Sequence, residues 1–313
     1  MARHRYGVAM NGSLRVGVVV VQNLAWADWR ARVLEVEALG YDGVYVWDHL
    51  VHRTQELTDP LFDGLTALAA AATFTSRIRL GTMVAAPIFR HPVVLANQAM
   101  TLDQLSGGRL ELGIGAGGAV LDHQLLGVPA WSTRERVERF EETIALVDAV
   151  LRGGRTFAGT HYAGEHISLA PGPVQQPRPP LTIAAHGPRT LAIAARYADV
   201  WNSVTTRELP PAEVLRTAAE RSRSLDRYAE EAGRAPESIR RSVLIGSDDW
   251  PALASVDAFR DAVLRYREIG VTDIVLIHPD HPAEAALGHG VAAPGIVRDI
   301  AERLLPELRA ELA

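Results

Sequence analysis

The sequence predicts an α/β protein, a (β/α)8 barrel of the TIM type with an insertion between helix four and strand five. Three observations predict it. Short apolar runs rich in Val and Ile alternate with longer amphipathic stretches from end to end. The runs are apolar on both faces, as buried parallel strands joined by helices must be. Eight such units fill roughly 300 residues, the span of a closed barrel. An open doubly wound sheet is the alternative. Residues 1–13 read as an N-terminal extension and 14–313 as one barrel domain.

In chain order, the expected strands are Leu14–Val21, Gly43–Trp47, Ile78–Val84, Leu110–Gly115, Leu181–Ala185, Asp199–Asn202, Ser242–Gly246 and Asp273–Ile277. The helices between and after them are Trp26–Leu39, Leu61–Thr73, Pro92–Leu105, Arg134–Leu151, Arg189–Tyr197, Pro211–Glu231, Val256–Ile269 and Gly295–Glu311. Asp28 and Asp63 are early acids, Pro92 and Pro211 suit a first helical turn, and Gly40 and Gly270 suit C-terminal caps. From about Gly153 to Pro180 the rhythm breaks. That stretch reads as a short hairpin and an extended Pro-rich return before strand five. Pro282–Pro294 is a second loop.

Composition excludes several chemistries. There is no cysteine, and all 32 basic residues are arginine. Disulfides, thiolate nucleophiles, Cys-held metals, Schiff-base lysines and the P-loop lysine are therefore absent. Any phosphate must be held by arginine, backbone N–H groups or a helix N-terminus. A net charge of −5 argues against a nucleic-acid partner. No apolar run is long enough to span a bilayer. Arg3, Arg5 and the run Val16–Val21 mimic a signal peptide, but Arg15 and Gly17 interrupt it and it reads better as strand one. A cytoplasmic protein is expected.

Barrel chemistry sits at the C-terminal strand ends, which selects residues directly. Strand two ends in Trp47-Asp48-His49, strand three in Thr82-Met83-Val84, and strand four in Gly115-Ala116-Gly117-Gly118. Strand five ends in Ala184-Ala185-His186-Gly187-Pro188-Arg189. His49 can carry a proton, with Asp48 setting its orientation, or can be merely structural. The glycine run lets a flat ligand approach the backbone, or is a flexible turn. As a dinucleotide fingerprint it is weak, since no helix is expected directly after it. Ala184–Arg189 runs from a strand into a helix start and is the best phosphate cradle in the chain, or an ordinary turn. A metal set of Asp48, His49, His278 and His281 lacks the H-x-H on strand one that barrel metallohydrolases carry, so no metal is expected.

These segments resemble the bacterial luciferase-like monooxygenase superfamily of FMN-dependent monooxygenases and deazaflavin (F420)-dependent reductases and dehydrogenases. The matching stretches are Leu39–Gly43 through Trp47-Asp48-His49, Arg77–Thr82, Arg90-His91-Pro92, Thr101–Gly117, Gln176–Pro180 and Gly187–Asn202. The resemblance implies a ring in the barrel mouth and a cofactor phosphate at Ala184, Ala185, His186, Gly187 and Pro188. It further implies a non-prolyl cis peptide at Met83-Val84, with Thr82, Met83 and Val84 at the ring's centre and backbone contacts from Gly115, Ala116 and Gly117. Asp48 and His49 look like the ring-side pair of the F420-using branch, so F420 is favoured over FMN.

Three departures stand against sugar-phosphate oxidation. Gly118 replaces a Glu, Arg53 replaces a Trp, and the phosphate-gripping lysines are missing. The expected activity is hydride transfer between reduced F420, or FMN, and a small-molecule substrate. An FMNH2-dependent monooxygenase served by a flavin reductase is the alternative, and a non-catalytic flavin-binding homologue a third. The resemblance also implies a homodimer, which the Ala- and Leu-rich stretch Leu61–Phe74 suits. Substrate choice would lie with the loops Arg53–Pro60, Asp122–Ser132 and His281–Pro294.

Overall fold

A computed structural model describes residues 12–51, 61–204, 210–245, 252–279 and 292–312. Eight parallel strands close a barrel: β1 (Arg15–Val19), β2 (Gly43–Val46), β3 (Arg79–Thr82), β4 (Leu110–Ile114), β5 (Leu181–Ala184), β6 (Val200–Val204), β7 (Arg240–Ile245) and β8 (Asp273–Ile277). Each strand pairs with its neighbours in sequence, and β8 returns to β1 with Val16 opposite Ile274 and Val18 opposite Leu276. Around it lie α1 (Trp26–Ala38), α2 (Gly64–Phe74), α3 (Pro92–Ser106), α4 (Val120–Leu126), α5 (Thr133–Leu151), α6 (Pro188–Tyr197), α7 (Pro211–Glu231) and α8 (Val256–Glu268).

The punctuation works as its chemistry dictates. Asp63 caps α2 by accepting from Thr66 N–H at 2.7 Å, and Pro92 opens α3 where a missing N–H costs nothing. The insertion forms the expected hairpin, Phe157–Ala158 against Ala163–Gly164, antiparallel. Of the expected N-terminal extension, only Gly12 and Ser13 are described.

Two elements differ from expectation. A short helix, α4, starts at Val120, directly beyond the glycine run, where a loop was expected. The last helix is not continuous either. Ile296–Asp299 passes into a π turn at Ile300–Leu304 before Leu305–Glu311 resumes. Pro306 supplies the cause, since it has no N–H and its ring crowds the preceding turn.

Period-two alternation splits the strands into two cores. Outward residues such as Val16, Val18, Val44, Leu112 and Ile183 pack under the helices. Inward residues Val19, Tyr45, Met83, Leu244, Val275 and Ile277 fill the barrel. Its N-terminal end is closed by charge. Glu111 receives Arg15 Nη2 at 2.9 Å and Tyr45 OH at 2.7 Å, and lies 2.7 Å from Arg79 Nε. Burial alone would raise the Glu111 carboxyl, but the Arg15 and Arg79 guanidiniums and the Tyr45 hydroxyl hold it below its ordinary range. The barrel is therefore plugged below and open only at the other end.

Candidate functional site

The open end carries the strand-terminal residues, and the structure sorts them. Asp48 and His49 follow β2 and diverge, as neighbours on an extended chain do. Asp48 is buried at 3% exposure. Its carboxylate takes a bidentate pair from Arg90, at 2.7 and 2.8 Å, and the Ala86 N–H at 3.0 Å. Three donors saturate it, so it fastens the loop between β3 and α3 rather than orienting His49. The partner of His49 is instead Asp122 on α4, whose Oδ2 lies 3.0 Å from Nδ1. Asp122 was expected only at the edge of a substrate loop. It is legible as a partner only once α4 exists.

The strand-three and strand-four ends form a floor. The Met83-Val84 peptide is cis, as the resemblance implied. Met83 is buried in the cluster that includes Val21, Trp47 and Ile277, and Val84 packs against that cluster. Thr82 does not face the mouth. Its hydroxyl donates to Gly113 O at 2.7 Å and accepts from Gly113 N–H at 3.0 Å, knitting β3 to β4. Gly115 is glycine for packing, since a Cβ there would lie 2.4 Å from Val84 Cγ2. Gly117 is glycine for conformation, with φ of +67° at the rim beside half-buried Ala116.

Three strands round the ring, β5 ends in the cradle. Ala184 is half-buried at the barrel's rim, whereas Ala185 is buried with the outer core and its carbonyl accepts from Trp201 Nε1 at 2.8 Å. Gly187 caps α6 and Pro188 begins it. Gly187 has no side chain to cap with, so Thr190 Oγ1 reaches back to the N–H groups of His186 and Gly187, at 3.3 and 3.1 Å. The His186 ring accepts from Val204 N–H through Nε2 at 3.2 Å, which leaves Nδ1 to carry the proton. Burial, reinforced by the Arg221 guanidinium, lowers that imidazole to about 4, so it is neutral at pH 7. Arg221 on α7 was missed in the sequence. Among the described residues its guanidinium has one hydrogen bond, to Val204 O at 3.4 Å.

Asn202 and Ser242 add a polar spot inside the barrel wall. Asn202 Nδ2 donates to Ser242 Oγ at 3.0 Å, while Asn202 Oδ1 is buried without a partner. Among the described residues no three His, Asp or Glu side chains converge as a metal set. His278 is buried, held down to about 3 by burial and by Arg32. Asp280 and His281, like Arg53 and the loop residues 54–60 and 282–291, lie outside the described residues. An apolar floor, a helix start with a cation and a neutral His beside it, and an orphaned amide oxygen fit a flat ring carrying a phosphate tail.

The family model for luciferase-like monooxygenases matches residues 9–290. An F420-dependent glucose-6-phosphate dehydrogenase of Beutenbergia cavernae is 35% identical over 219 residues, 68% of this chain and 64% of that protein. The chain thus spans less than two thirds of that relative. An F420-dependent hydroxymycolic acid dehydrogenase of Mycobacterium tuberculosis is 29% identical over 273 residues, covering 85% of this chain and 72% of the other. Among solved structures, an F420-dependent secondary alcohol dehydrogenase in complex with an F420–acetone adduct superposes with a TM-score of 0.79. It is 18% identical and covers 95% of this chain and 99% of that one, which establishes a shared fold.

Proposed function

The chain belongs to the luciferase-like monooxygenase family, and on that premise we propose that it is an F420-dependent oxidoreductase acting on a small alcohol or carbonyl compound. The observation that carries this reading is the placement of His49. Its imidazole stands at the open rim, about one third exposed, with Nδ1 engaged and Nε2 without a partner among the described residues. When bound, F420 accepts or returns the hydride of the substrate carbon. The chain's own residues supply the rest. His49 Nε2 takes the hydroxyl proton as the carbonyl forms, and returns it in the reductive direction. Met83, Val84, Gly115, Ala116 and Gly117 support the ring, while Gly187, Pro188, His186 and Arg221 hold the phosphate. Asp48 acts through Arg90 and the Ala86 backbone, fixing the loop beside the floor.

The relatives' printed names support F420 over FMN. The missing lysines and Gly118 turn the reading away from sugar phosphates. A flavin reductase partner belongs only to the FMN alternative. Among the described residues no helix is long and apolar enough to cross a membrane; we place the protein in the cytoplasm. A homodimer through α2 and α3 is supported by Val94 and Leu105, which are 48% and 49% exposed on α3.

Titrating the purified protein with F420 and with FMN, followed by absorbance and tryptophan fluorescence, tests the assignment. Saturable F420 binding that weakens in Arg221→Gln is expected. Tight FMN binding with no F420 binding overturns it in favour of the oxygenase reading.

A further inference from the structure

Asp122 is a buried carboxylate with a narrow set of partners. Its side chain is 6% exposed, and among the described residues its only hydrogen-bond partner is His49. A charge is not buried this way without a partner to meet it. The pair lies 73 positions apart in sequence, so it is made by the fold and not by a local turn. α4 makes it possible. The glycine run leads off β4, the chain turns at Ala119, and the first turn of a seven-residue helix delivers Asp122 inward. The outer residues of α4 are Val120, Leu125 and Leu126, exposed by 59%, 43% and 40%. Hydrophobicity therefore does not turn Asp122 inward; the contact with His49 does.

We infer that Asp122 is the positioning residue for proton exchange at His49, holding the proton on Nδ1 so that Nε2 presents a lone pair to the barrel mouth. A carboxylate oxygen can only accept, so the nitrogen facing it must donate. In a neutral imidazole that choice fixes the other nitrogen as the acceptor. When Nε2 takes a substrate proton, the imidazolium formed lies against the Asp122 carboxylate, and its charge is met without movement. Asp48 cannot share this task, because Arg90 and the Ala86 N–H occupy its oxygens. The consequence for turnover rests on the functional reading above. The tautomer does not.

The experiment uses the ligand-free protein. Imidazole 15N shifts for His49, assigned by their loss in His49→Gln, read the tautomer directly. The wild type is expected to carry the proton on Nδ1. In Asp122→Leu, which keeps the bulk and removes the acceptor, the proton is expected to move to Nε2, the tautomer that imidazole prefers in water. A wild-type ring protonated on Nε2 overturns the inference, and this measurement needs no variant to fold. An unchanged tautomer in Asp122→Leu overturns it as well. With cofactor and substrate, kcat should fall by about 10- to 100-fold in Asp122→Leu while KM holds. Should no substrate turn over with F420, the functional reading fails while the tautomer result still decides the role of Asp122.

Discussion

A carboxylate as deeply buried as Asp48 must have its charge met, and Arg90 meets it with two hydrogen bonds in fork geometry. Removing one member of such a pair strands the other, so Asp48→Asn should lower stability by about 3 kcal/mol or more. A shift in the denaturant midpoint measures it. The adjacent residue should behave in the opposite way. His49→Gln keeps a donor for Asp122 and loses the titrating ring, so its midpoint should move by no more than about 0.5 kcal/mol while turnover drops at least about tenfold. Unchanged turnover removes His49 from the chemistry. Sequence placed both residues at the rim, because strand ends are readable from periodicity. It paired them wrongly, since Arg90 and Asp122 lie 42 and 73 positions away and only tertiary structure brings them in.

Elements show where local pattern suffices and where it does not. Asp273–Ile277 and Pro211–Glu231 appear with their expected ends. A continuous apolar run fixes the first, and an opening Pro followed by amphipathic spacing fixes the second. α4 was illegible because seven residues carry under two helical turns and follow a glycine run that reads as loop. The barrel wall holds a subtler pattern. Gly17, Gly43 and Gly81 surround Tyr45, and a Cβ on Gly17 would lie 2.5 Å from its Cε2. One aromatic ring fills the space that three missing side chains leave, and its hydroxyl reaches the plug at Glu111. Gly17→Ala should therefore cost about 1–3 kcal/mol by overpacking. In a Tyr45→Leu background the same change should cost less, with a coupling on the order of 1 kcal/mol in a double-mutant cycle. Additive effects would show that the ring does not set this space.

For the whole molecule, the absence of lysine and cysteine narrowed the chemistry from the sequence alone, but it could not reveal which histidines the fold keeps neutral. Two of them stand out, His278 at about 3 and His186 at about 4. Unfolded, each has an ordinary value of about 6.5. The unfolded chain then binds protons that the folded chain refuses. Stability is fully present above about pH 6.5 and is lost as pH falls towards the folded values. His278 should dominate, because it is buried at 6% exposure whereas His186 sits at the wet rim. Asp273, raised chiefly by its burial, works in the opposite direction when its folded carboxyl takes a proton. Comparing wild type with His278→Gln cancels the carboxylates common to both. Thermal and denaturant unfolding between pH 7 and pH 5 should show the variant gaining on the wild type as pH falls. The gain should approach about 1.4 kcal/mol per pH unit, the value for one proton. A difference that stays flat across that range would mean that His278 accepts its proton in the folded state, and that the barrel's buried imidazole is wet.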